Sequence, residues 1–95
     1  MGAGRKWGKQ VVVETVSRLT MYTTVWCGYC VRLKRALERE GIDFVEVDIE
    51  QDSTAADFVM SLNGGNATVP TVVLPDGTAL TNPPLPDLLS AVRAA

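Results

Sequence analysis

Apolar residues recur with two different periods along this chain, and the period separates predicted strands from predicted helices. Residues 19–25 are rich in β-branched and aromatic side chains, which predicts a buried strand. From Gly28 to about Glu40 the apolar side chains fall on one face of a predicted helix, at Cys30, Leu33 and Leu37. Residues 42–48 alternate with period two and predict a second strand, so the first half of the chain forms a β-α-β unit.

The second half shows the same two periods in shorter segments. Thr54 and Asp57 have the spacing of a capping box, which predicts a helix that ends at the Asn-Gly-Gly sequence of residues 63–65. Residues 68–74 and 78–81 predict two further strands joined by a Pro-Asp-Gly turn. A last helix has its predicted core face at Leu85, Leu88, Leu89 and Val92. The predicted order is β-α-β-α-β-β-α, an α/β fold.

Composition places the chain among ordinary globular proteins. With 95 residues, 46% of them hydrophobic and 21% charged, it has room for a single domain with one core. Runs of apolar residues stay far below the ~20 needed to cross a bilayer, so we expect no membrane span. The net charge of −2 does not provide the basic surface that nucleic acid requires. The charges are segregated, since residues 1–39 carry eight Lys or Arg against two acids and residues 40–95 carry one against nine.

Histidine is absent from the sequence, which removes the usual general base and the commonest ligand of transition metals. What remains is a pair of cysteines, Cys27 and Cys30, between the first predicted strand and the first predicted helix. Only about 2% of randomly placed pairs would show this C-x-x-C spacing. A structural disulfide is one interpretation, and a zinc site, which would need two further ligands, is another. A redox-active dithiol is the third, and the strand-to-helix context favours it.

The helical periodicity predicts different environments for the two thiols. Cys30 lies on the apolar stripe and is expected to be buried, whereas Cys27, at the N-cap, is expected to be exposed at the helix tip. Unpaired N–H groups and the macrodipole stabilise a thiolate at this end of a helix. Lys34 is a candidate to assist that thiolate, and the alternative is a surface helix pair with Glu38.

Two short motifs resemble those of the glutaredoxin family. Residues 27–30, Cys-Gly-Tyr-Cys, are similar to the family's C-P-Y-C site, with Gly28 in place of proline, and residues 68–70 are similar to its T-V-P segment. The resemblance covers residues 19–92. It implies a thioredoxin/glutaredoxin fold, in which a four-stranded mixed sheet is flanked by three helices.

The same resemblance implies roles for the residues around the cysteines. Pro70 would follow a cis peptide bond and face the thiols, and the main chain of Val69, beside Thr68, would pair with the peptide-like part of the substrate. The alternative for Pro70 is a residue that opens a strand. Trp26 and Tyr29 would line the substrate groove, and their alternative is packing beside the helix start.

Within the family, the mycoredoxin group of actinobacteria is the more similar. Its T-x-W-C-G-Y-C, V-D-I-E and N-G-G-N-x-T-V-P-T-V patterns match residues 24–30, 47–50 and 63–72. Where glutaredoxins have a Gly-Gly and a polar-Asp pair for glutathione, this chain has Leu-Thr-Asn-Pro-Pro. Thr81 and Asn82 therefore become candidates to bind a sugar-bearing thiol, and the alternative is a plain turn or helix cap.

The resemblance implies reduction of mixed disulfides between client proteins and mycothiol by a monothiol route through Cys27. Mycothiol would be the thiol co-substrate, with NADPH entering only through mycothiol disulfide reductase and no cofactor or metal bound to the chain. One alternative is a dithiol electron donor to ribonucleotide reductase, served by thioredoxin reductase, in which Cys30 would be essential. An alternative of another class is an iron-sulfur cluster module, because thiolates readily ligate clusters.

The domain is expected to span residues 19–95, preceded by an extension over residues 1–18. That extension has three open interpretations: a disordered basic arm, an added element built from residues 11–16, or an upstream start that the cell does not use. No secretory signal is recognised, so we expect a cytoplasmic protein. We expect a monomer.

Overall fold

A computed structural model describes residues 18–94 of the chain. The interpretations of residues 1–17 lie outside these described residues. The elements, in chain order, are β1 (Leu19–Thr23), α1 (Gly28–Arg39), β2 (Phe44–Asp48), α2 (Ser53–Leu62), β3 (Thr71–Val73), β4 (Ala79–Thr81) and α3 (Leu85–Ala94). The predicted order β-α-β-α-β-β-α is confirmed.

The four strands form one mixed sheet in the order β2-β1-β3-β4. β1 and β2 are parallel, with Leu19 opposite Phe44 and Thr23 opposite Asp48. A parallel pair needs a crossover connection, and α1 provides it. β3 pairs antiparallel with both β1 and β4, so β1 and β3 are the two central strands. The end of β1 leads, through residues 24–27, into the helix that begins at the cysteines.

The core lies between the sheet and the helices. Its buried members come from β1, α1, β3, the residue after β3, and α3: Leu19, Met21, Leu33, Leu37, Val72, Leu74 and Leu88. The predicted stripe of α1 is confirmed, since Cys30, Leu33 and Leu37 are buried together with Ala36. On α3, Leu88 is buried and Leu85 and Val92 pack against the core, as predicted. Leu89 is only half-buried, and Ala91, which the pattern did not indicate, packs there as well.

Two strands are shorter than the pattern predicted. β1 ends at Thr23, because Val25 and Trp26 belong to an exposed turn in which 80% and 69% of their surfaces are accessible. The strand predicted over residues 68–74 is confined to Thr71–Val73. Pro70 has no N–H to donate to a sheet, and it lies just before the paired segment. The shortening of β1 leaves irregular backbone directly before the cysteines.

The cap of α2 differs from the predicted capping box. Asp52 is the N-cap, in an extended conformation, and its Oδ1 accepts a 3.1 Å hydrogen bond from the Ala55 N–H. Thr54 is already inside the helix. The predicted stop is confirmed, since Asn63 is the C-cap and the two following glycines have positive φ. No helix within residues 18–94 is long and apolar enough to cross a membrane.

Candidate active site

Cys27 caps the N-terminus of α1 with its sulfur. The residue is extended, with φ −84° and ψ 105°, and its Sγ accepts a 3.1 Å hydrogen bond from the Cys30 N–H. The Cys27 N–H in turn donates to the Thr24 carbonyl at 3.3 Å, which closes the turn after β1. The sulfur therefore occupies the place of a capping oxygen, where an unpaired helix N–H and the positive end of the helix favour negative charge.

Burial of the two thiols only partly follows the prediction. Cys30 is 1% exposed and lies on the core face of α1, as expected. Cys27 was expected to be exposed at the helix tip, and this is wrong, because only 9% of its surface is accessible. Its sulfur lies against the first turn of α1, where it accepts the Cys30 N–H.

The Cys30 thiol is held in its protonated form. Burial, the hydrogen bond with Cys27 and the negative charges of Cys27 and Glu46 raise its pKa to about 12, against a smaller lowering by the backbone of Thr24. Cys30 is therefore a thiol, not a thiolate, at neutral pH. Within residues 18–94, no group of three or more His, Cys, Asp or Glu side chains could hold a metal ion.

Lys34 has a partner that neither sequence interpretation named. Its Nζ lies 3.0 and 2.9 Å from the two carboxylate oxygens of Glu46 on β2, so the predicted helix pair with Glu38 is replaced by a contact between elements. Thr23, which is 1% exposed, donates a 2.7 Å hydrogen bond to the same carboxylate. Sequence reasoning missed Glu46, because nothing local marks it and its contact with Thr23 spans 23 positions.

The segment around Pro70 adopts the conformation that the resemblance implied. The Val69–Pro70 peptide bond is cis, which confirms that expectation. Pro70 is buried, and its carbonyl accepts a 2.7 Å hydrogen bond from the Asn82 N–H. Beside it, the Thr68 carbonyl accepts a 2.8 Å bond from the Thr71 hydroxyl. The loop before β3 is thus fixed to the segment that follows β4.

Tyr29 connects the start of α1 to that same segment. Its hydroxyl donates a 2.7 Å hydrogen bond to the Pro83 carbonyl, and the Arg32 guanidinium lies 5.5 Å from its ring centroid. A Cβ at Gly28 would meet nothing within 4 Å, so glycine is not required there by space. The helix start, the Pro70 loop and residues 81–83 are joined by hydrogen bonds into one region.

Thr81 and Asn82 are placed differently within this region. The Thr81 hydroxyl donates a 2.6 Å hydrogen bond to Oδ1 of Asn63, so it is already used inside the protein. Asn63 also donates to the Val59 carbonyl at 2.8 Å, and sequence reasoning missed it except as a helix stop. Asn82 is exposed and has a φ of 49°, a left-handed conformation that asparagine tolerates.

Trp26 contacts a different part of the protein. The residue is 69% exposed, and its Nε1 donates a 3.0 Å hydrogen bond to the Glu50 carboxylate in the loop after β2. Together with Val25 it forms an exposed apolar turn next to Cys27. Of the predicted substrate-binding residues, Trp26 is therefore hydrogen-bonded to the loop after β2, whereas Tyr29 is hydrogen-bonded to the segment after β4.

Comparison with known proteins finds similarity to a family model, to two relatives and to a solved structure. The glutaredoxin family model matches residues 19–78. A glutaredoxin-type protein of Mycobacterium tuberculosis is 63% identical over 65 residues, which cover 68% of this chain and 77% of that protein. Mycoredoxin 1 of Corynebacterium glutamicum is 40% identical over 79 residues, covering 83% of this chain and 98% of that protein. Among solved structures, a glutaredoxin from Archaeoglobus fulgidus is similar with a TM-score of 0.69 and 25% identity, covering 95% of this chain and 99% of that one.

Proposed function

The chain belongs to the glutaredoxin family and is a homologue of the mycoredoxins with a cysteine pair, and from this we propose that it reduces mixed disulfides between proteins and mycothiol. Its relatives imply thiol oxidoreductase activity. The observation that carries the proposal is the contrast between the two sulfurs. Cys27 caps α1 and accepts the Cys30 N–H, whereas Cys30 is 1% exposed with its pKa raised to about 12.

The proposed route uses Cys27 alone as the nucleophile. Its thiolate attacks the mycothiol sulfur of a protein–mycothiol disulfide, a bond forms between Cys27 and mycothiol, and the client thiolate leaves and takes a proton from water. A second mycothiol thiolate then attacks the mycothiol sulfur held on Cys27. Mycothiol disulfide leaves, and the Cys27 thiolate is restored. NADPH reduces that disulfide through mycothiol disulfide reductase, outside this chain.

Mycothiol is proposed to lie along the surface between Tyr29, Val69 and Asn82, over the buried Pro70. Two short hydrogen bonds support this, because Tyr29 to Pro83 and Asn82 to Pro70 are both 2.7 Å and bring these segments together. The main chain of Val69, beside Thr68, would pair with the extended part of the substrate. We place Gly28, Trp26 and Lys34 around the client side of the cysteines, and Thr81 as a support for Asn82.

We further propose that the chain acts in the cytoplasm as a monomer, on S-mycothiolated client proteins. The test is to follow NADPH oxidation when the oxidised protein is coupled to mycothiol with its disulfide reductase, or to thioredoxin reductase alone. Turnover that needs mycothiol is expected. Turnover only through thioredoxin reductase would contradict the proposal and favour the electron donor to ribonucleotide reductase, and visible absorbance of the purified protein would favour the cluster module.

Two cysteine variants test the route itself in the mycothiol-coupled assay. Cys27→Ser is expected to abolish turnover, because the oxygen that replaces the sulfur cannot form the mixed disulfide. Cys30→Ser is expected to retain most of it, because mycothiol resolves the intermediate. An inactive Cys30→Ser variant that still folds would exclude the monothiol route.

A further inference from the structure

An ion pair lies one helical turn from the buried Cys30 thiol. Cys30 and Lys34 are four positions apart on α1, so their side chains are neighbours on one helix face. The Lys34 ammonium contacts both oxygens of Glu46, at 2.9 and 3.0 Å. The Thr23 hydroxyl on β1 donates a 2.7 Å hydrogen bond to that carboxylate. The Glu46 carboxylate is therefore held by hydrogen bonds from both β1 and α1.

The pair stands in a groove between α1 and β2. Two cavities, of about 410 and about 390 Å³, share Val31, Lys34 and Glu46 as lining residues. The first also contains Thr23 and Thr24 at the end of β1, next to the turn that leads to the cysteines. Side chains of Lys34 and Glu46 are 28% and 37% exposed, so water screens their charges in part.

Two negative charges, on Cys27 and Glu46, oppose ionisation of the Cys30 thiol. Cys27 lies at the N-cap, where its sulfur accepts the Cys30 N–H. Glu46 lies on β2 and contacts Lys34, which is one helical turn from Cys30 on α1. Asp48, at the end of β2, lines the same groove as the ion pair. Replacing Glu46 removes a negative charge from this environment, and replacing Lys34 removes a positive one. Substitutions in this pair can therefore change the stability of the Cys30 thiolate in either direction.

We propose that Lys34 and Glu46 are positioning residues that set how readily Cys30 closes a disulfide with Cys27. For closure, Cys30 must release its proton to water, and its thiolate must attack the Cys27 sulfur. The Cys27–Cys30 bond forms while the bond from Cys27 to its thiol partner breaks, and that partner leaves as a thiolate. Glu46 opposes the negative charge on Cys30 and so slows closure, whereas Lys34 partly offsets Glu46. The two side chains together set the rate of closure relative to the rate at which an external thiol resolves Cys27.

This inference rests on the proposed function, because it explains why a chain with two thiols would use one. It makes opposite predictions for the two partners. Glu46→Gln keeps an oxygen for the Thr23 hydrogen bond but leaves the Lys34 cation unbalanced, so closure should become faster. Lys34→Gln leaves the Glu46 anion unbalanced, so closure should become slower. If the ion pair only stabilised the structure, both substitutions would change the rate of closure in the same direction.

The experiment uses the whole chain and a neutral chromogenic probe, dipyridyl disulfide. A first release of thiopyridone reports attack by Cys27, and a second release reports closure by Cys30. The rate of the second phase is measured across pH for the wild type, Glu46→Gln and Lys34→Gln. Asp76→Asn is the matched control, because it also removes one carboxylate charge while an oxygen remains for the Thr78 N–H, at the far end of β3 from Pro70.

We expect Glu46→Gln to speed the second phase at neutral pH by about threefold to tenfold, and Lys34→Gln to slow it by a similar factor, since tenfold corresponds to one pKa unit. We expect the same order of rates when iodoacetamide alkylates Cys30 in the Cys27→Ser background, because this reaction does not depend on attack by Cys27. Shifts in the same direction, or no difference from Asp76→Asn, would overturn the inference. Neither readout contains mycothiol, so failure of the proposed function would show only in the coupled assay.

Discussion

The Tyr29 hydroxyl donates a 2.7 Å hydrogen bond to the Pro83 carbonyl, across 54 positions of sequence. This bond fastens the first turn of α1 to the segment between β4 and α3. Because the N–H of Asn82, the residue before Pro83, donates to the Pro70 carbonyl, one tyrosine hydroxyl helps to hold three segments of the chain together.

Tyr29→Phe removes this bond while keeping the ring. We expect the free energy of unfolding to fall by about 1 kcal/mol, the net worth of a typical hydrogen bond, measured by urea denaturation. Tyr22→Phe is the control, because within residues 18–94 the Tyr22 hydroxyl has no hydrogen-bond partner. Equal losses in the two variants would show that the Pro83 contact does not stabilise the fold.

Asp52→Ala should destabilise α2 by about 1 kcal/mol, because the Asp52 carboxylate caps the helix by accepting the Ala55 N–H. Thr54→Ala should leave stability unchanged or slightly higher, because Thr54 lies within the helix, where alanine is the better helix former. Thermal denaturation of both variants tests the difference. A larger loss of stability in Thr54→Ala than in Asp52→Ala would instead support the capping box at Thr54 that the sequence suggested.

Two glycine substitutions separate the effect of space from that of backbone conformation. A Cβ at Gly28 or at Gly41 would meet nothing within 4 Å, but Gly41 has a φ of 71°. Gly28→Ala, in the first turn of α1, should therefore stabilise the protein by about 0.5 to 1 kcal/mol. Gly41→Ala should destabilise it by about 1 kcal/mol or more. Loss of stability in Gly28→Ala would indicate a constraint at this position other than space.

Acid should remove a contribution that Glu46 makes to stability. Burial raises the pKa of this carboxyl, but the Thr23 hydrogen bond and the ion pair with Lys34 outweigh it, and the net effect lowers the pKa from 4.5. A lowered folded-state pKa gives stability that is present above the unfolded value and is lost as pH falls through the folded value. The advantage of the wild type over Glu46→Gln in free energy of unfolding should therefore shrink as the pH falls from neutral to below the unfolded-state pKa of 4.5.

Lys34→Gln provides the comparison for that titration. Because it removes one of the two groups that lower the Glu46 pKa, its stability should vary less with pH than that of the wild type over the same range. A wild-type profile that matches Glu46→Gln at every pH would mean that the carboxylate contributes nothing to folding.

Local pattern determined the framework of this protein. The order of strands and helices, the burial of Cys30 and Leu37 on one face of α1, and the position of Cys27 at its N-cap all follow from periodicity and spacing. The motif resemblance also anticipated the cis bond before Pro70. The periodic features depend on residues that lie within about one or two helical turns of each other, so they can be identified from the sequence alone.

Only the tertiary structure decided which side chains meet. Lys34 and Glu46 are 12 positions apart, Thr81 and Asn63 are 18 apart, and the Tyr29 contact spans 54. Each of these pairs joins different elements, so its geometry depends on the strand order β2-β1-β3-β4 and on where each helix rests. Hydrogen bonds act only over about 3 Å. The spacing of residues along the chain therefore could not tell which charge Lys34 would balance, whereas the packing of α1 against β2 did.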